Sequence, residues 1–214
     1  MPHVLTLPRA HTPPLPESGF WTLDNLDFLQ HAHWQDRAQA EHNEVWLQPI
    51  AYLLLRNAAG HIWCYQRTGG DARLDGRCSC GVGGHVDLAD AEPPFYHNPI
   101  DSSSCPSDMP YRPISPLNPL ATLRHTLLRE LTEELGAHEA DVRDLCFQGL
   151  IYEGLSAVGR VHLGVMFTAQ WLPAQVPQPV AGESLLGLGF RPAIDIANNQ
   201  KFELWSRMAA QCML

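Results

Sequence analysis

Hydrophobic positions follow two rhythms along this chain. From Val45 the run VWLQPIAYLLLR is apolar and rich in β-formers, Asn57-Ala58-Ala59-Gly60 supplies a turn, and HIWCYQR follows, so a β-hairpin is expected. Leu120, Leu123, Leu127, Leu128, Leu131 and Leu135 instead recur at helical spacing and predict one helix from Pro119 to Ala137, with Gly136 at its C-terminus. Phe20 to about Ala40 reads as a second helix with an interrupted apolar face of Leu23, Leu26, Phe28, Leu29 and Trp34. Packing is the plain reading of those aromatics, and a lid or homodimer contact is the functional alternative. The proline-punctuated residues before about Ser18 predict a mobile arm.

Cys78 to Val86 reads as a short strand of small residues ending in Gly83-Gly84, where backbone can approach a ligand closely. Residues 89–118, rich in Pro, Ser and Asp, predict an irregular loop, either a cover for substrate or a merely tolerated insertion. LCFQGLIYE and VGRVHLGVMFTAQW are two strands joined through Gly154 to Ala157. Leu185 to Phe190 is a last short strand, and Ile194 to Met213 a closing helix with Phe202, Leu204, Trp205 and Met208 inward. This order predicts an α/β fold, a sheet with helices on both faces. The expected division is an N-terminal arm and helix over 1–44 and a main domain over 45–214.

Composition narrows the function. A chain of 214 residues with 45% hydrophobic content fits one core. A formal charge of -9 excludes a broad duplex-binding surface and an anionic-membrane partner, whereas a small phosphorylated ligand needs only a local basic pocket. Cys64, Cys78, Cys80, Cys105, Cys146 and Cys212 show no disulfide or paired zinc spacing and read as reduced thiols. The N-terminus lacks a signal-peptide core and no apolar run is long enough to span a bilayer, so a soluble, cytoplasmic protein is expected.

The helix at 119–137 carries the candidate chemistry. At ~100° per residue, Glu134 lies ~50° and Glu130 ~90° from the leucine stripe on the same side, while Glu133 lies farther round, one turn after Arg129. An Arg129–Glu133 pair can therefore fix the surface while Glu130 and Glu134 repel each other. A hard, oxygen-seeking cation such as Mg²⁺ converts that repulsion into binding. Arg67 closes the second strand of the hairpin and Arg73 follows within the glycine-rich turn TGGDARLDGR before Gly83-Gly84; they are either solvated surface arginines or phosphate contacts, since guanidinium forks match phosphate oxygens.

The string Arg129-Glu130-Leu131-Thr132-Glu133-Glu134-Leu135-Gly136-Ala137 resembles the second half of the Nudix box, G-x5-E-x7-R-E-U-x-E-E-x-G-U, and Gly83-Gly84-His85-Val86-Asp87 resembles its glycine-rich entry. The resemblance implies an α/β/α sandwich with a mixed β-sheet and a hydrolase that uses Mg²⁺ or Mn²⁺ to cleave a diphosphate, its substrate a nucleoside diphosphate joined to another group. Glu130, Glu133, Glu134 and the Gly84 carbonyl would hold the metal, with Arg129 orienting the acids and Arg67, Arg73 and His85 meeting substrate. A carboxylate outside the box would serve as base or extra ligand, Glu183 first and Glu153 second. Gly84 and Arg129 are 45 positions apart where the box allows 14, so about 31 residues are inserted. Counting forward from Gly84 puts the box glutamate at Asp90 and counting back from Arg129 puts it at Ala121, which assigns it to neither. Further matches, including Gln48-Pro49-Ile50-Ala51-Tyr52 and Val161-His162-Leu163-Gly164, resemble a bacterial Nudix subgroup of predicted phosphoesterases. Two alternatives stand beside hydrolysis: an isopentenyl-diphosphate-isomerase-like enzyme, which needs a cysteine where Gly83 stands, and a non-catalytic nucleotide-binding module.

Overall fold

A computed structural model describes residues 3–69, 76–91 and 118–214. In chain order its elements are β1 (His3–Pro8), β2 (Ser18–Trp21), β3 (His33–Asp36), α1 (Arg37–Ala40), β4 (Trp46–Arg56), β5 (Ile62–Arg67), β6 (Cys78–Ser79), β7 (Val82–His85), α2 (Pro119–Leu135), β8 (Val142–Glu153), β9 (His162–Trp171), β10 (Leu185–Arg191), α3 (Ala193–Ala197) and α4 (Leu204–Gln211). Arg73 and Cys105 lie outside the described residues, as does most of the 89–118 segment.

One mixed sheet organises the molecule, with strands in the order β10-β5-β4-β9-β8-β2. Its spine is β4, parallel to β9 along one edge from Gln48↔His162 to Arg56↔Gln170. Along its other edge β4 meets β1 at Leu47, β7 from Ile50 to Leu53, and β5 at Arg56. Covered on both sides, β4 is almost continuously apolar, as a central strand must be. Leu47, Ala51, Leu53 and Leu55 face the core shared with Leu123, Leu127, Leu131 and Leu135 of α2. Tyr52 and Leu54 point the other way, into the core shared with Ile196 of α3 and Ala209 and Ala210 of α4. The expected sheet with helices on both faces is present.

The helix α2 begins where Asn118 Oδ1 accepts from the Ala121 amide at 3.2 Å, with Pro119 in the first turn, and stops at Gly136, whose φ of 60° is left-handed. Leu120 is 54% exposed rather than part of the buried stripe. The stripe is instead completed by Thr122 and Thr126, both buried.

Three expectations fail at the ends of the chain. The N-terminal arm is a strand: Val4, Leu5 and Leu7 are buried, β1 pairs with β3 and β4, and Leu5 N–H donates to the Val86 carbonyl at 2.8 Å. The helix expected over 20–40 is mostly strand and 3₁₀ turn, because β2 joins β8 and β3 joins β1. Leu5, Leu7, Leu26 and Leu29 join the core cluster that includes the α2 leucines. The closing helix is two helices, interrupted where Phe202 bridges to Cys78 and the Glu203 amide donates to the Cys78 carbonyl at 2.9 Å. No helix among the described residues is long and apolar enough to cross a membrane.

Candidate active site

Strand β7 and helix α2 meet at the glycines. Gly84 pairs with Ala51 of β4, which puts its pro-side-chain direction toward α2. A Cβ there would run into Glu130 Oε1 and lie 2.8 Å from Glu130 Cδ. Gly83 is required for a different reason: its φ is 147°, and a Cβ would strike the Ala51 carbonyl of β4. One glycine admits a carboxylate and the other admits the neighbouring strand.

Arg129 ties the site together. Its Nε donates to Asp90 Oδ1 and its Nη2 to Asp90 Oδ2, both at 2.9 Å, in a bidentate pair. Nη1 donates to Glu130 Oε1 at 2.8 Å and Glu133 Oε2 at 3.0 Å, and Nη2 also reaches the His85 carbonyl at 3.0 Å. Asp90 is 5% exposed and accepts a further bond from Thr126 Oγ1 at 3.0 Å. Hydrogen bonding to Asp90 is the largest of the influences that hold the guanidinium charge, with Glu130 and Glu133 adding to it. Asp90 is therefore the carboxylate that anchors Arg129, and of the two positions that counting offers for the box glutamate it alone carries an acid, Ala121 having none.

Both inner glutamates are weaker acids than an ordinary carboxyl, chiefly because they are buried. Burial, then the charge of Glu130, pushes the Glu134 carboxyl up to about 8, with Arg67 opposing and Glu183 and Glu133 reinforcing. Burial likewise raises Glu130, against the pull of Arg129. Glu134 Oε2 is buried with no hydrogen-bond partner among the described residues. Glu133 is 55% exposed and engaged by Arg129. Glu183 is exposed, in the turn where its amide donates to the Val180 carbonyl at 3.1 Å; the Val180 amide in turn donates to the Glu134 carbonyl at 2.8 Å. Arg67 is half-buried, donates from Nη2 to the Tyr65 hydroxyl at 3.2 Å, and acts electrostatically on Glu134. Glu130, Glu133, Glu134, Gly84, Arg67 and Glu183 thus gather at one end of α2.

Two expected participants lie elsewhere. Glu153 accepts from Ser156 N–H and Ser156 Oγ at 2.6 Å each, and so locks the loop before β9 instead of meeting substrate. The His85 side chain leaves β7 on the face opposite Gly84, where its Nε2 lies 3.1 Å from His162 Nε2 and 3.5 Å from Glu41 Oε1. Substrate contact on the α2 side does not fit that direction. Cys80, the nearest thiol to the isomerase position, is buried against α4, its amide bonded to Ser206 Oγ at 3.0 Å and its thiol pKa raised by burial. Gly83 cannot be replaced by cysteine without striking β4, so the isomerase alternative loses its nucleophile.

No family model matches the chain. Tm1382, described as a candidate Nudix hydrolase, superposes with a TM-score of 0.70 over 99% of this chain and 98% of its own, at 21% identity. The chain has the Nudix fold. DR0079 from Deinococcus radiodurans superposes with a TM-score of 0.50 over 84% of this chain and 90% of its own, at 16% identity. In sequence, the protein YmaB of Bacillus subtilis (strain 168) is 26% identical over 183 residues, 83% of this chain and 76% of YmaB.

Proposed function

We propose that the protein is a divalent-metal-dependent Nudix hydrolase that cleaves a diphosphate linkage in a small phosphorylated substrate, a nucleoside diphosphate joined to another group. The observation that carries this reading is Glu134, a carboxylate whose buried oxygen has no partner among the described residues, lying in the field of Glu130, whose own carboxylate fills the space over Gly84. Two crowded carboxylates and a nearby backbone carbonyl are a hard-oxygen donor set, which suits Mg²⁺ or Mn²⁺. A bound ion there would neutralise phosphate charge and acidify a water.

The chain's own residues have separable tasks in this reading. Asp90 fixes Arg129, and Arg129 fixes the carboxylate of Glu130 at the Gly84 backbone. Glu130 and Glu134 would hold the ion, with the Gly84 carbonyl and, at the exposed rim, Glu133 as further donors. Arg67 supplies a guanidinium for the non-bridging phosphate oxygens. Glu183, exposed and electrostatically coupled to Glu134, accepts the proton of the attacking water at its carboxylate. Water adds to one phosphorus and the bridging P–O bond breaks, giving two phosphate-bearing products. A cytoplasmic setting belongs to the same reading, supported by the unpaired thiols of Cys64, Cys78 and Cys80.

A panel of nucleoside diphosphate conjugates, assayed for phosphomonoester release with Mg²⁺ or Mn²⁺, tests this function. Metal-dependent turnover of one class, abolished by a chelator, is expected. Tight binding of a nucleotide with no turnover under any metal would replace the hydrolase with a non-catalytic module.

A further inference from the structure

We propose a second metal site, formed by Glu41, His85 and His162 on the sheet face opposite α2, that takes a divalent transition-metal ion of the Zn²⁺ class. This goes beyond the hydrolase reading and does not depend on it. Three ligand atoms from three separate segments, one carboxylate oxygen and two imidazole nitrogens, all lie within 4.8 Å of one another.

The distances are those of ligands around one ion. Metal–nitrogen bonds of about 2.0–2.1 Å at angles between octahedral and tetrahedral put two nitrogens roughly 2.9–3.4 Å apart. His85 Nε2 and His162 Nε2 are 3.1 Å apart. Glu41 Oε1 stands 3.5 Å from the first and 3.9 Å from the second, a slight opening that a half-exposed side chain closes by a small rotation.

The orientation of His162 is set from behind. Its Nδ1 lies 2.8 Å from the Val158 carbonyl, an atom that can only accept, so the ring proton sits on Nδ1 and Nε2 presents its lone pair to the cluster. This is the carbonyl-backed arrangement typical of metal-binding histidines. The sheet register supplies the convergence: His85 on β7 opposes Ile50 and His162 on β9 opposes Gln48, so both rings rise from the same face across β4. Glu41 is delivered by the end of α1, where Arg37 is its exposed partner at 3.7 Å.

Gln48 provides an independent sign. It is fully buried, leaves β4 on this same face as the register neighbour of His162, and neither its Oε1 nor its Nε2 has a partner among the described residues. A buried amide in that state is costly unless a polar occupant meets it. Two imidazoles and one carboxylate select Zn²⁺, Co²⁺, Ni²⁺ or Fe²⁺ over Mg²⁺, which separates this site from the carboxylate cluster on α2.

Metal-free, full-length protein titrated with Co²⁺ in millimolar Mg²⁺ tests the proposal, because visible d–d absorption reports nitrogen ligation independently of catalysis. One Co²⁺ per chain, displaced by Zn²⁺, is expected. Glu41→Gln and His162→Asn should each weaken Co²⁺ binding by at least about 10-fold, while Glu134→Gln should leave it unchanged. Glu41 is half-exposed at a helix end, so Glu41→Gln keeps the test decisive if a thermal melt shows that His162→Asn does not fold. Absence of Co²⁺ binding in the wild type, undiminished binding in Glu41→Gln, or loss in Glu134→Gln would each overturn the proposal.

Discussion

Gly83 and Gly84 are adjacent, yet replacing each with alanine should break different things. In Gly84→Ala the new Cβ lies 2.8 Å from Glu130 Cδ and closer still to Oε1. Ordinary carbon contacts are about 3.5–4.0 Å, so the carboxylate must retreat by roughly 1 Å. That end of the side chain is flexible, and an off-rotamer adjustment costs about 0.5–1.5 kcal/mol. Restricting the unfolded chain by a Gly→Ala change returns about 0.4–1 kcal/mol, so stability should change by less than about 1 kcal/mol. The Arg129–Glu130 bond of 2.8 Å is lost with the movement, and a misplacement of ~1 Å at a catalytic group can cost about 100-fold in rate. In Gly83→Ala the obstacle is the Ala51 carbonyl of β4, and φ of 147° is strained for any side chain. Strain of about 1–3 kcal/mol plus about 1 kcal/mol for a disrupted ladder bond gives roughly 3 kcal/mol, a fall in Tm of about 6–12 °C. Thermal melts and metal-dependent hydrolysis of both variants check this. Wild-type turnover in Gly84→Ala, or equal melting losses in the two variants, would refute the assignment of one glycine to the site and the other to the sheet.

Asp90→Asn should destabilise the protein by about 3 kcal/mol, since the half-buried Arg129 loses its paired carboxylate, and denaturant melts would show it. Activity of the folded fraction should fall as well, because Arg129 then no longer fixes Glu130. Glu134, pushed up to about 8, binds a proton more tightly folded than unfolded. Its contribution is therefore intact below about pH 4.5 and is lost as pH rises through about 8, costing the metal-free protein about 2–5 kcal/mol. The stability difference between wild type and Glu134→Gln, followed from pH 4 to 9 in a chelator, isolates that slope, and a flat difference contradicts it. Glu153→Ala should cost about 1–3 kcal/mol with little effect on the turnover of folded protein, because the amide and hydroxyl of Ser156 lose their acceptor.

Local signals were legible where one element explains itself. The leucine period, the Asn118-Pro119 start and the Gly136 stop describe α2 without help from the rest of the chain, and the Arg129–Glu133 pair follows from one helical turn. The long apolar run of β4 similarly announces a strand covered on both faces. What failed is what only distant pairing decides. HVLTLP is a short segment whose strand character comes from β3 and β4, and the segment 18–36 becomes strand largely through β8 and β1. Counting forward from Gly84 reached Asp90 and counting back from Arg129 reached Ala121, and only the fold chooses between them, because the link from Asp90 to Arg129 spans 39 positions across the insertion. Glu153 resembled any other carboxylate at a strand end until its loop closed on it. The grouping of Glu41, His85 and His162 follows no spacing at all, since β4 alone brings the two histidines to one face.

The most direct measurement of the central claim is metal-dependent hydrolysis by Glu134→Gln, beside its melting curve with and without Mg²⁺. The substitution keeps size and helix propensity while removing a carboxyl that burial and Glu130 push up to about 8, so without metal folding should be unchanged near pH 4.5 and improved as pH rises toward 8, by up to about 2–5 kcal/mol. Turnover should fall by orders of magnitude, because an anionic donor to the ion is gone while charge gathers on the phosphate oxygens. The stabilisation that Mg²⁺ gives the wild type should shrink in parallel. Wild-type turnover and an undiminished Mg²⁺ effect in Glu134→Gln would contradict the account.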